Sequence, residues 1–166
     1  MTDNLYKAPQ SNLEPDIDKS SVELADRANR FLAALIDGII GLVLAIPFFM
    51  YAAPLLGFEL GQEANLQFSL LSSLYGFITF CLVQGYFLHI NGQTIGKRLN
   101  GIKIVSTSYA NVSAAHILGK RYLPISFVSV LPIIGQILPL IDILFIFRKD
   151  RRCLHDLIAG TCVIKV

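Results

Sequence analysis

Three apolar runs, residues 31–53, 68–90 and 122–147, constrain this chain more than anything else in it. Each is longer than the ~20 residues a helix needs to cross ~30 Å of hydrocarbon. Of 166 residues, 54% are hydrophobic and 16% charged, with a mean hydropathy of +0.58. That is more apolar surface than a soluble domain of this size buries, so a membrane protein is the reading. A removable secretory signal is not expected. Ten charged side chains precede the first run, which is too long for an h-region and is followed by no small-residue cleavage pattern.

Residues 1–19 are polar, mixed in charge and interrupted by Pro9 and Pro15, the composition of a disordered cytoplasmic tail, and the membrane domain is placed at 20–166. Ser20 followed by Glu23 has capping-box spacing, and VELADRANRF runs on without a breaker, so the first helix is expected to begin near Ser20. Residues 54–67 carry Glu59 and Glu63 but no Lys or Arg, whereas the N-terminal segment has four basic residues, 91–121 has five and 148–166 has another five. The positive-inside bias therefore puts both termini and the 91–121 connection in the cytoplasm. That requires an even number of crossings. Pro124, Pro132, Gly135 and Pro139 offer it by breaking the third run into a hairpin with arms 113–131 and 134–147. One tilted helix with its tail outside is the alternative. The expected fold is an all-α helical membrane protein of two transmembrane helices plus a proline-broken apolar hairpin, with three or four crossings. Short cytoplasmic β elements are expected at 102–106 and in the terminal TCVIKV, which could pair.

Asp37 lies inside the first run. A carboxylate at depth in a bilayer costs about 3 kcal/mol on insertion scales, so it must face protein or water, and such residues are functional candidates. A hydrogen bond to a neighbouring helix, or solvation near the headgroups two turns beyond Arg30, is the plainer account. Arg30 lies on nearly the same side of the helix, about 10 Å away along the axis, too far for easy contact. Ala33, Gly41 and Ala45 share that side, with Ala34 and Gly38 alongside, a small-residue pattern that lets another helix approach and cover the carboxylate. Asp142 in the third run is a second candidate. It could partner Arg30 or Arg121, share a cation or proton with Asp37, or be solvated at the interface.

GQTIGKR, residues 92–98, is not a phosphate loop. Gly92 and Gly96 enclose three residues instead of four, and Arg98 follows Lys97 where Ser or Thr is needed. It reads as a juxtamembrane turn with a basic pair facing anionic headgroups. His155 and Asp156 in HDLIAGT could do acid–base work, but no nucleophile is spaced for them, so no enzyme is expected. Cys81, Cys153 and Cys162 are odd in number and one lies in a span, which argues for free thiols. Cys153, His155 and Cys162 fit no standard zinc spacing. No cofactor, metal or nucleic-acid partner is expected.

RFLAALID with Arg30 and Asp37, then GQTIGKRLNGIKIV, then RRCLHDLIAGTCVIKV resemble, in that order, the RDD family of small, mainly bacterial membrane proteins, named for one arginine and two aspartates. The resemblance covers residues 25–166. It matches Arg30 and Asp37 to the family's arginine and first aspartate. The second aspartate is Asp156, the better motif match, or Asp142, the better membrane candidate. Gly92, Thr94, Gly96, Lys97, His155, Gly160 and Thr161 lie in the matching cytoplasmic motifs. The resemblance implies a multi-pass protein of the bacterial inner (plasma) membrane, associated with transport and, for some members, cation/proton antiport. Three or four helices make a small transporter, so a homo-oligomer is expected to supply the missing walls. The expected function is exchange of Na+ or another monovalent cation for H+ at Asp37, tuned by Arg30, with Asp142 or Asp156 as a second station. The alternative is a non-transporting assembly or sensory module whose intramembrane charges lock helices together, its cytoplasmic basic motifs meeting a partner or anionic lipid.

Overall fold

A computed structural model describes residues 22–59, 65–128, 130–131 and 133–166. Helix α1 (Arg27–Leu55) and helix α2 (Leu66–Asn91) span ~43 and ~39 Å at 1.5 Å per residue, enough to cross ~30 Å of hydrocarbon. Only 11% and 6% of their most apolar stretches are buried, which separates them from the core helices of a soluble domain. Leu35, Ile39, Leu42 and Ile46 on α1, and Leu70, Leu74, Ile78 and Leu82 on α2, are exposed in the fold and suited to lipid. Asn65 starts α2 by accepting the Phe68 N–H at 2.8 Å, and Gly92, at φ 65°, ends it in the left-handed conformation. Pro47 brings no N–H to α1, and the helix widens into a π turn at Phe48–Ala52 just beyond it. The Tyr75 hydroxyl ties the pair together by donating to the Leu44 carbonyl at 3.0 Å. Phe48, Phe58 and Phe68 pack at the far end.

The third apolar run is broken into two arms. Helix α4 (residues 114–128) begins at Ser113, whose hydroxyl accepts the His116 N–H, and includes a π turn at Ile117–Tyr122. Helix α5 (Ile134–Leu144) follows and ends in a 3-10 turn at Phe145–Phe147. Arg121, midway along the first arm, and Asp142, near the end of the second, both reach His155, so the run doubles back. The first arm stops at Val128, short of the expected 131. Leu131 turns back on Val128, and the residue before a proline disfavours helix. The Ser73 hydroxyl donates to the Ser126 carbonyl at 2.9 Å and holds this arm to α2.

The start of the first helix differs from expectation. α1 begins at Arg27, and the segment before it is extended along a free strand edge. Strand β1 (Ile102–Ser106) pairs antiparallel with strand β2 (Thr161–Lys165), from Ile102 opposite Lys165 to Ser106 opposite Thr161. Leu24 bridges to Ile164 on the other edge of β2, the Ala25 N–H donates to the Val163 carbonyl, and the Lys165 N–H donates to the Glu23 carbonyl. The Glu23 carboxylate meets the Lys165 ammonium at 2.8 Å instead of closing a cap. Strand pairing satisfies the backbone that a capping box would otherwise serve. Ser20 and the tail 1–19 lie outside the described residues.

Two short helices, α3 (Ile95–Leu99) and α6 (Leu154–Ala159), complete this end of the molecule. Ala25, Ala33, Leu88, Ile104, Ile117 and Val163 form the core where the ribbon meets α1, α2 and α4. The start of α1, the end of α2 and both ends of the hairpin therefore converge on one polar cap. Arg30, Asp37, Gly96, Asp142, His155 and Asp156 lie in or beside it.

Candidate functional site

Asp37 is held by the GQTIGK turn. Gly92 ends α2, Thr94 caps α3 with its hydroxyl on the Lys97 N–H, and the short helix turns back against α1. One Asp37 oxygen accepts the Gly96 N–H at 2.8 Å and the Gln84 amide at 3.1 Å. The other accepts the Thr94 hydroxyl, and the Lys97 ammonium stands 3.8 Å away. The Gln84 oxygen accepts the Ile95 N–H at 2.8 Å, so the amide is used at both ends. Gly96 makes the approach possible. A Cβ there would collide with the Ala33 carbonyl oxygen and stand 2.9 Å from the Asp37 carboxyl carbon.

One expectation changes here. Ala33 does meet a close neighbour, but it is this short helix; nothing lies within 4 Å of where a Cβ would stand at Gly38 or Gly41. Gly41 and Ala45 instead line a cavity of about 170 Å³ between α1 and α2 that has Asp37 and Gln84 at one end. Of the basic pair, Lys97 also stands 3.8 Å from Asp37, and the exposed Arg98 lies over the Phe87 ring at 5.6 Å. Gln84 escaped the sequence reading. Its signal was an amide inside FCLVQGYF, subject to the same burial penalty that singled out Asp37.

The second cluster is built on Asp156, which is fully buried. One of its oxygens accepts from Arg30 and from the Cys153 N–H at 3.1 Å; the other meets Arg121 at 2.7 Å and the Thr161 hydroxyl at 3.3 Å. Arg30 also donates to the Arg151 carbonyl and to the Cys153 sulfur at 3.4 Å. Arg30 thus bridges 126 positions of sequence to reach Asp156. Arg121 continues the chain of contacts to His155 Nε2 at 3.0 Å, and His155 Nδ1 meets Asp142 at 2.7 Å. A guanidinium only donates, so Nε2 must accept and the ring proton sits on Nδ1, where it donates to Asp142. Neither partnership expected for Asp142 forms: its carboxylate is taken by the His155 ring and backbone N–H. Gly160 ends α6 and delivers Thr161 to Asp156, and His116 ties α4 to α6 through the Ala159 carbonyl at 2.7 Å.

These contacts join three segments distant in sequence. Residues 24–160 match the RDD family. The chain belongs to that family. A protein of Haemophilus influenzae (strain KW20 / Rd), described as uncharacterized, is 32% identical over 149 residues, covering 88% of this chain and 81% of its own. No solved structure matches. Of the two candidates for the second RDD aspartate, Asp156 is the one that Arg30 engages; Asp142 lies farther out, behind His155 and Arg121.

Asp142, Cys153 and His155 in this RDD cap bring ligand-type atoms within 4.8 Å of one another. They do not suit a dication, because Arg30 and Arg121 already face the sulfur and the ring. Burial also pushes the Cys153 thiol up to about 11, so it stays protonated. Cys162, the third member of the zinc reading, instead donates to the Ser106 carbonyl. Burial pushes the Asp156 carboxyl up, but Arg121 and Arg30 more than reverse this and hold it well below its ordinary range.

Burial and then Arg121 push His155 below its ordinary value of 6.5. The unfolded chain therefore takes up a proton that the folded RDD protein refuses as pH drops below about 6.5. Stability is expected to fall through that window and to level off below the folded value. Thermal unfolding in detergent checks this: the midpoint should decline with acidification, and His155→Gln should flatten the decline. An unchanged slope in the variant would assign the effect to another group.

Proposed function

We propose that this RDD protein is a small multi-pass transporter that exchanges a monovalent cation such as Na+ for H+, with Asp37 as the exchanging carboxylate. One observation carries the reading: Asp37 stands at the end of a cavity between α1 and α2 whose wall includes Ser72, Tyr75 and Thr79. On the cap side the carboxylate is closed off by α3 through hydrogen bonds. Lys97, at 3.8 Å, is its loosest partner. A cation arriving at Asp37 would displace that ammonium, and a proton would release it by neutralising the carboxylate.

The reading places the protein in the bacterial inner membrane with both termini in the cytoplasm. The basic residues crowd onto the cap, and a hairpin that leaves and re-enters the cap returns the tail to the side of the N-terminus. Its arms, ~22 and ~21 Å long, are shorter than ~30 Å of hydrocarbon, so the bilayer thins there or the hairpin is re-entrant. The exposed apolar faces of α1 and α2 suit a second copy as well as lipid, and a homo-oligomer would close the walls of the path.

A specific observation favours the second reading, a non-transporting assembly or sensory module. Three donors and an ammonium already surround Asp37, and Asp156 is equally saturated. Cation-driven collapse of a pH gradient in inside-out vesicles separates the two, with wild type and Asp37→Asn compared at matched protein level. Transport predicts a response in wild type that the variant loses. If neither responds and the variant unfolds more readily, the aspartate is a lock.

A further inference from the structure

We propose that the cleft between α1 and α5 binds the headgroup of an anionic phospholipid. This cleft, of about 560 Å³, is separate from the cavity at Asp37 and has two unlike walls. Arg27, Arg30, Lys97, Arg121, Asp142 and His155 line its polar side. Phe31, Leu35, Ile143, Ile146 and Phe147 line the other, and apart from the half-buried Ile146 these side chains are exposed. A polar ligand would leave the apolar wall bare, and an alkane would leave the cations without a counter-ion. A singly charged phosphodiester carrying acyl chains suits both.

Charge accounting among the described residues narrows the contacts. Asp156 is shared by Arg30 and Arg121, Asp142 is held at His155, and Asp37 faces Lys97, so four cations meet three carboxylates. His155 adds no charge, since Arg121 keeps it neutral. The excess falls on Arg27, which is exposed and held by the Ile146 carbonyl at 3.2 Å and the Phe147 ring at 5.8 Å, with no carboxylate among its contacts. Lys97, only loosely paired, is the second donor with capacity to spare. Arg30 and Arg121 are committed to Asp156, although the Arg121 Nε is buried without a partner among the described residues. Basic pockets between membrane helices on the cytoplasmic side are general sites for anionic headgroups, and the one-charge excess matches phosphatidylglycerol.

The inference does not depend on whether Asp37 transports anything. The purified full-length protein, stripped with detergent, would be titrated with phosphatidylglycerol, phosphatidylcholine or inorganic phosphate and read by native mass spectrometry. Phosphatidylglycerol should be retained well above phosphatidylcholine, and inorganic phosphate should not displace it. Arg27→Gln and, separately, Lys97→Gln should each weaken phosphatidylglycerol about fivefold, the weight of one basic side chain against an anionic headgroup. Arg98→Gln, outside the cleft, should bind like wild type. Arg27 is exposed, so an unchanged unfolding midpoint in lipid-free detergent is expected and shows that its variant folds. Equal retention of phosphatidylcholine, displacement by inorganic phosphate, or an equal loss in Arg98→Gln would each overturn the site.

Discussion

Asp156→Asn is expected to destabilise the folded protein by about 3–5 kcal/mol, the cost of removing one partner from a buried ion pair. The carboxylate is fully buried, and two guanidiniums from different segments converge on it. An amide cannot balance either charge, and its NH2 would point a donor at donors. Arg30 and Arg121 would then be buried without compensation, which is worse than having neither. Hence a second expectation: replacing all three together, Arg30→Met, Asp156→Leu and Arg121→Met, should recover much of what the single change loses. Unfolding of the purified protein in detergent, followed by circular dichroism, measures both. A single-variant loss under about 1 kcal/mol would place the ion triad among surface-like pairs and remove its claim to hold the cap together.

Among the described residues, Gly96→Ala should be the most damaging added methyl. Its Cβ meets the Ala33 carbonyl oxygen, which is part of the α1 backbone and cannot swing aside, as well as the Asp37 carboxyl group. Overpacking of this kind costs about 1–3 kcal/mol or more, and here it also pulls the Gly96 N–H and the Thr94 hydroxyl from Asp37. Gly38→Ala and Gly41→Ala are the internal comparison. Nothing stands within 4 Å of either new Cβ, and alanine is the better helix former, so each should be neutral or stabilising by up to about 1 kcal/mol. Unfolding midpoints of the three variants test the contrast, and equal effects would show that the α1 to α3 contact is looser than its geometry.

Much of the architecture was legible because membrane insertion acts on local stretches of chain. Residues 68–90 were marked as a span by hydropathy, and α2 runs from Leu66 to Asn91. The proline pattern of the third run anticipated a break, and the run does fold back. The start of α1 was misjudged because the capping-box spacing at Ser20 and Glu23 is also local, whereas the free edge of β2 that claims Glu23 to Ala25 comes from the last residues of the chain. Gln84 passed unnoticed because an amide in an apolar run carries a weaker sequence signal than a charge.

The site divides in the same way. That Asp37 and Asp142 need partners or water follows from the apolar runs around them, since a charge there costs several kcal/mol wherever the chain goes. Which partner each takes does not follow. Arg30 lies seven positions from Asp37, yet it pairs with Asp156, 126 positions away, because the ribbon and α6 bring the end of the chain beneath the start of α1. The sequence gives Lys97 no acidic partner, and α3 brings it within 3.8 Å of Asp37. The sequence by itself determined that Asp37 and Asp142 lie in apolar runs and need covering. Only the tertiary structure decided their pairing, because hydrogen bonds and ion pairs act over about 3–4 Å, a distance that sequence separation does not encode.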